Sequence, residues 1–188
     1  MSYPASMVDQ LTLSNLPTLT TVSVRGHLSK HEITSEAFTQ IKINNLQSRS
    51  SVTLMEFGKE KYSVSKTAEQ IAASITEMGQ PEIKFTNETK EILGYTCKKA
   101  VAISTNIFGE EIVKDIYYTE EFQGLPLNFD TPYEKIPGIM LEYEIQIKNL
   151  NVKYEAKSIK KRNISARQFK TPKEYIPISF DELKEKLL

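Results

Sequence analysis

Residues 139–156 read IMLEYEIQIKNLNVKYEA, and this stretch decides the predicted fold. Every second residue from Ile139 to Ile147 is apolar, and the residues between them are mostly polar. Leu150 to Ala156 repeats the pattern beyond a predicted turn near Asn149. Alternation with a period of two places apolar side chains on one face of a half-buried strand. The stretch therefore predicts two neighbouring strands that turn one face towards a core.

The same alternation extends over most of the chain. It marks residues 20–65, 83–103 and 112–122, with a hairpin turn predicted at Gly58 and another turn at Pro137-Gly138. Long crossover helices between these strands are missing from the sequence pattern. Strands without such helices favour antiparallel pairing over a parallel fold.

Two short amphipathic helices complete the pattern. Thr67 and Gly79 are placed to begin and end the first helix, and Ser179 with Glu182 forms a capping box for the second. We therefore expect an α+β, β-rich fold. Its predicted form is a curved antiparallel sheet, or half-barrel, with a few short helices over its apolar concave face.

Length and charge set the limits on organisation. A chain of 188 residues without an internal repeat or a linker predicts one domain over residues 1–188, with residues 1–18 as a poorly ordered N-terminal segment. Its 24 basic and 24 acidic residues balance, which argues against a surface devoted to nucleic acid. No apolar run reaches the roughly 18 residues needed to span a bilayer.

The sequence shows no catalytic apparatus. His27 and His31 are four residues apart in a predicted strand, a spacing of about 13 Å that is too long for one metal ion. Cys97 occupies an apolar strand position and fits a small core side chain, although Lys98 and Lys99 are near enough in sequence to activate a thiolate. We expect no enzyme activity, no metal site and no cofactor.

A run of basic residues extends from Lys153 to Lys170, and Glu155 is its only acid. Two interpretations stay open. The run is either the solvated outer face of the last strand, or a surface for phosphate, lipid headgroups or an acidic partner.

Three segments carry a family resemblance. Residues 88–100 read ETKEILGYTCKKA, residues 115–119 read DIYYT, and residues 136–142 read IPGIMLE. Together they resemble the GLPGLI-type family of bacterial envelope proteins over residues 82–159, although the family's GLPGLI turn stands here as EKIPGI. The resemblance implies export to the periplasm or attachment to a membrane surface. It also implies a fold similar to that of periplasmic lipoprotein carriers, and no catalytic residues.

These observations lead to a functional expectation and an alternative. The expectation is a non-enzymatic envelope protein that binds a lipid or other apolar ligand in a cavity between sheet and helices. The alternative is a protein–protein interaction module with a fully packed core. We expect a periplasmic or membrane-associated location, or a cytoplasmic one if Met1 is native, and no nucleic-acid partner. The predicted cavity is lined by Phe85, Tyr95, Tyr117, Leu141, Tyr143, Val152 and Tyr154.

Overall fold

The computed structural model describes residues 18–35, 38–57, 59–106, 108–122, 125–147 and 150–187. Within these ranges the chain is β-rich and has few, short helices. The strands are β1 (Leu19–Arg25), β2 (Leu28–Thr34), β3 (Thr39–Asn45), β4 (Ser50–Phe57), β5 (Glu60–Lys66), β6 (Glu82–Ile92), β7 (Tyr95–Thr105), β8 (Glu111–Thr119), β9 (Ile139–Ile147), β10 (Leu150–Glu155) and β11 (Ile176–Pro177). The helices are α1 (Ala68–Met78), a short 3₁₀ helix (Ala166–Phe169) and α2 (Phe180–Leu187).

The chain divides into two compact units. One contains the described residues of Met1–Ala68 and Ile164–Leu188, and the other contains those of Glu69–Asn163. Each unit has its own sheet, so the structure has two sheets where the sequence pattern predicts one. The single-domain interpretation stays a prediction. The predicted N-terminal segment lies outside the described residues except for Thr18, and so do the predicted turn positions Gly58 and Asn149.

The sheet of the first unit has the strand order β1-β2-β3-β4-β5-β11. Its first five strands pair antiparallel in sequence order, as the alternation predicts. β11 adds to β5 in parallel, with Ile176 opposite Tyr62, because a distant C-terminal segment and not a hairpin supplies this strand. The sheet is therefore mixed, and the purely antiparallel prediction is wrong for this one pair.

Both faces of this sheet carry apolar clusters. Phe169 and Tyr175 pack with Leu54 on one face, and Leu183 packs with Tyr62 and Val64 in a separate cluster. Leu54 pairs with Ser63, so its neighbours Tyr62 and Val64 point to the opposite face. The segment after residue 163 thus supplies apolar cover to both faces of the sheet.

Helix α2 begins as its sequence predicts. The Glu182 backbone N–H donates to Ser179 Oγ at 3.1 Å, and the Ser179 N–H donates to Glu182 Oε2 at 2.6 Å. This reciprocal pair satisfies two backbone donors that the first turn of a helix leaves open. The predicted capping box is confirmed.

The sheet of the second unit is antiparallel, in the order β10-β9-β8-β7-β6. Its core cluster consists of Ala100, Ala102, Ile116, Tyr118 and Ile136, with Ile83, Tyr133, Met140 and Tyr143 packed against it. Among the described residues, no helix is long and apolar enough to cross a membrane.

A β-bulge between β8 and β9 changes which side chains of β9 meet the core. Tyr118 pairs with Met140, whereas the preceding Tyr117 pairs with Glu142, so Leu141 is an extra residue between the two pairs. Met140 and Tyr143 consequently both pack against the core cluster. The prediction that all odd-numbered residues of β9 share one face is wrong, because alternation within one strand does not report a bulge in its pairing.

Candidate functional site

A groove of about 350 Å³ lies in the second unit. Most of the side chains that line it are charged or aromatic. They are Lys90, Val113, Lys114, Asp115, Tyr117, Glu142, Tyr143, Glu144 and Lys153.

Tyr117 lies on β8, the central strand of this sheet. Its neighbours Ile116 and Tyr118 are buried in the core, so alternation turns Tyr117 to the other face. On that face Lys99 of β7 is opposite Tyr117 on one side, and Glu142 of β9 is opposite it on the other. The sheet therefore places an aromatic ring between a lysine and a carboxylate.

Glu142 connects the two edge strands of the sheet. Its Oε2 lies 2.7 Å from Lys90 Nζ of β6, and its Oε1 lies 3.3 Å from Lys153 Nζ of β10. The hydrogen bond from Lys90 is the main reason that the pKa of Glu142 lies below its usual value. Lys90 Nζ also lies 5.0 Å from the centre of the Tyr117 ring, a cation–π distance.

The charge network continues along β10. Lys153 Nζ lies 2.9 Å from Glu155 Oε1, and Lys157 Nζ lies 3.0 Å from Glu155 Oε2. These two lysines, with the Lys153 hydrogen bond as the largest cause, lower the pKa of Glu155 to about 2. The resulting chain of ion pairs leads from Glu142 in the groove to the residues that follow β10.

A second ion cluster lies on β6, β7 and β8. Lys99 Nζ is 3.3 Å from Glu88 and 3.0 Å from Asp115, and only 15% of the Lys99 side chain is exposed. The bond to Asp115 is the main reason that the pKa of Lys99 is raised. Lys99 and Asp115 therefore have a defined arrangement next to Tyr117.

Glu142 is suited to accept hydrogen bonds and not to act as a general acid. A carboxyl that acts as a general acid near neutral pH needs a raised pKa, whereas the pKa of Glu142 is lowered. Burial raises the pKa of the Cys97 thiol, which has no exposed surface. No group of three or more His, Cys, Asp or Glu side chains suited to a metal ion occurs in the described part of the chain. His31 lies on strand β2, where its Nε2 is 3.4 Å from Ser29 Oγ.

Two of the seven predicted lining residues, Tyr117 and Tyr143, line the groove. Tyr154 stacks on Tyr143, with ring centres 5.0 Å apart and planes 4° from parallel. Burial is the largest cause that raises the pKa of Tyr143 to about 12. Val152 is half-buried on the strand that carries Tyr154, and Leu141 is buried.

The other two predicted residues contact different aromatic rings. Phe85 is 53% exposed and meets Tyr118 edge to face at 6.0 Å. Tyr95 packs against Phe122 at 5.0 Å. Neither Phe85 nor Tyr95 lines the groove.

Phe85 and Tyr117 lie on opposite faces of the five-stranded sheet. Phe85 pairs with Ala100, and Ala100 pairs with Ile116, so all three share the face of the core cluster. Tyr117 follows Ile116 and points the other way. The seven predicted residues therefore do not line one common cavity, and the binding of an apolar ligand stays a prediction.

None of the six charged residues that line the groove is among the seven predicted lining residues. The six are Lys90, Lys114, Asp115, Glu142, Glu144 and Lys153. Selection by apolar and aromatic character passes over them. The sequence does contain a pattern that points to these residues. Glu142 and Glu144 alternate along β9, and Lys153 lies on β10, the strand that pairs with it. Opposite charges across neighbouring strands predict a polar outer face.

Comparison with known proteins places the chain in a family. A sequence model of the family described as N-glycanase peptide, N-terminal domain, matches residues 2–185. The chain belongs to this family. No curated protein matches the chain, and no solved structure matches it.

This family membership corrects the resemblance to GLPGLI-type envelope proteins, which is wrong. The expected similarity in fold to periplasmic lipoprotein carriers rested on that resemblance and is overturned with it. The part of the motif that reads Leu93-Gly94-Tyr95 forms the hairpin between β6 and β7, with φ of 54° at Leu93 and 81° at Gly94. Two successive positive φ angles are typical of a tight hairpin turn, a local feature that unrelated proteins share. The family description also names a domain of an enzyme, so the expectation of a non-enzyme is too broad for the whole family.

Proposed function

We propose that this chain is a non-catalytic accessory domain that binds the carbohydrate of glycoproteins in the groove around Tyr117. The family description supports the ligand class, since it names a domain of N-glycanase. The observation that carries the proposal is the pairing of Glu142 with Lys90 and Lys153 beside the Tyr117 ring.

This arrangement fits the chemistry of a sugar ring. A sugar has a patch of C–H groups that packs on an aromatic face, and hydroxyls that both donate and accept hydrogen bonds. Tyr117 supplies the aromatic face, while ammonium groups donate and carboxylates accept around it.

The paired groups keep hydrogen-bonding capacity for a ligand. A lysine ammonium has three N–H donors. Lys90 uses one of them on Glu142, and Lys153 uses two of them on Glu142 and Glu155. The remaining donors belong to side chains that the ion pairs already hold in position. These side chains therefore lose less conformational entropy when a ligand binds.

The direct test is the affinity of the chain for an N-glycan released from a glycoprotein, measured by calorimetry. We expect Tyr117→Ala to weaken binding roughly tenfold, the effect of losing one aromatic stacking partner. We expect Lys90→Ala to weaken it roughly three- to tenfold through the loss of a donor and of the Glu142 contact.

Lys84→Ala is the matched control for Lys90→Ala. Lys84 lies on the same strand, is 58% exposed and pairs with Glu82 at 3.5 Å, but it does not line the groove. We expect this variant to bind the glycan as the unmodified chain does. Equal losses for the two lysine variants, or no glycan binding by a chain with the circular dichroism of the folded protein, would refute the proposal.

A protein–protein interaction module is the second candidate, and one side chain favours it. Phe108 is 80% exposed, on a turn in which Asn106 Oδ1 accepts from the N–H groups of Phe108 and Glu110 at 2.9 Å each. An exposed aromatic on a well-bonded turn is suited to fill a pocket on a partner. If this alternative is correct, we expect Phe108→Ser to abolish binding of the chain to the polypeptide of a glycoprotein. The same variant should bind the free glycan as the unmodified chain does. The envelope location inferred from the sequence remains a prediction.

A further inference from the structure

Three consecutive cations follow the last strand of the second unit. The Ala156 N–H still bonds to the Leu141 carbonyl at 2.7 Å, and residues 157–163 then run without helix or strand. Lys160, Lys161 and Arg162, which we name the cationic segment, are all exposed. None of the three forms an ion pair or a side-chain hydrogen bond with another residue in the described part of the chain.

Six lysines in or next to the neighbouring sheet differ from the segment, because each has an acidic partner. Acidic side chains lie within 3.5 Å of Lys84, Lys90, Lys98, Lys99, Lys153 and Lys157. Carboxylates of the same sheet, or of residues next to its strands, thus balance these charges. The cationic segment is left with three positive charges in sequence and no acid to offset them, so it holds a local positive potential in a chain whose formal net charge is zero.

The segment follows, in sequence, the chain of ion pairs that leaves the groove. Lys153 lines the groove and contacts Glu155, and Glu155 contacts Lys157, three residues before the segment. A ligand that extends from the groove along β10 therefore reaches residues with unused N–H donors. Carboxylate, sulfate and phosphate groups are the partners that such donors bind best.

We propose that the cationic segment gives the groove a preference for acidic glycans, whose carboxylate or sulfate groups contact Lys160, Lys161 and Arg162. This inference rests on the proposed glycan-binding function. Single-stranded nucleic acid fits less well, because residues 156–163 contain no aromatic side chain for stacking. A membrane surface also fits less well, because Ile159 is the only large apolar side chain there and it is partly buried.

The test compares two forms of one N-glycan, with and without its terminal sialic acids, at low and at physiological salt. We expect the sialylated form to bind roughly three- to tenfold more tightly, the effect of one or two exposed ion pairs. This preference should shrink as salt rises, because exposed charges are screened. In the variant K160S/K161S/R162S both forms should bind as the neutral form binds to the unmodified chain.

The control variant R25S/K59S/K84S removes the same net charge from exposed sites elsewhere and should keep the preference. Persistence of the preference in the segment variant, or its loss in the control, would overturn the inference. Binding of the neutral glycan without any preference for the acidic one overturns the inference alone. Absence of binding to either glycan overturns the proposed function as well. Segment-dependent binding to anionic vesicles or to polyuridylate, without a glycan preference, assigns the segment to another partner and also overturns the inference.

Discussion

Replacing Gly138 with alanine should destabilise the protein through a steric clash. Gly138 has a φ of 78°, and a Cβ at this position would lie 2.1 Å from the Thr119 carbonyl oxygen. Thr119 is completely buried, and the Asn128 side-chain amide donates to the carbonyls of Ile136 and Gly138 at 2.8 and 3.1 Å. Both sides of the contact are therefore held in place, and neither can move aside freely.

The magnitude follows from two contributions. A left-handed backbone conformation costs a residue with a Cβ about 1–2 kcal/mol. Overpacking in a buried site adds about 1–3 kcal/mol. We therefore expect Gly138→Ala to lower the free energy of unfolding by about 3 kcal/mol. For a chain of this size that loss lowers Tm by roughly 6–12 °C.

Gly94→Ala separates the two contributions. Gly94 has a similar φ of 81°, but no atom lies within 4 Å of its Cβ position. Only the backbone strain applies there, so we expect a loss of about 1–2 kcal/mol. Thermal and urea unfolding followed by circular dichroism measures both variants. Equal destabilisation of the two would refute the argument from the Thr119 contact.

Three further properties can be checked. Lys90 lowers the pKa of Glu142, so this pairing stabilises the fold above the ordinary carboxyl pKa, and the stabilisation disappears as the pH falls through the lowered value. The stability measured by urea unfolding below about pH 5 should therefore depend less on pH in Glu142→Gln. Identical pH profiles for this variant and the unmodified chain would contradict the argument. Cys97 is buried, so we expect dithionitrobenzoate to label it at least roughly 100-fold more slowly in the native chain than in urea, whereas equal rates would show that the thiol is accessible. Burial raises the pKa of Tyr143 to about 12, so ultraviolet titration should lose one ionisation near pH 12 in Tyr143→Phe, and an unchanged titration curve would contradict this.

The hairpin of β9 and β10 and the start of α2 could be predicted because they depend on neighbours in sequence. Alternation of apolar residues indicates a half-buried strand, although the bulge in the pairing of β9 changes which of its residues meet the core. The capping box of Ser179 and Glu182 requires only three residues of separation, and its two hydrogen bonds form as expected. The interactions behind these local patterns join residues that are close in sequence, so a single sequence is enough to predict them.

The core of β7 illustrates a prediction that local patterns cannot make. Alternation over residues 95–103 predicts that the larger side chains Val101 and Ile103, which share a parity with Tyr95 and Cys97, lie on the core face. In the structure Ala100 and Ala102 are buried instead, against Ile116 and Tyr118. Small side chains leave room for large ones from the neighbouring strand, so packing density is set by the pair of strands and not by one strand alone.

The sequence by itself therefore determined the β-rich class, most strands, the two predicted helices and the positive φ at Gly138. Tertiary structure alone decided the division into two sheets, the bulge that reorients β9, and the ion pair between Lys90 and Glu142, whose residues are 52 positions apart. The groove depends on these long-range pairings, because its charged side chains come from different strands. A strand's own pattern records its exposure to solvent, but it contains no information on which strand lies beside it or in what register.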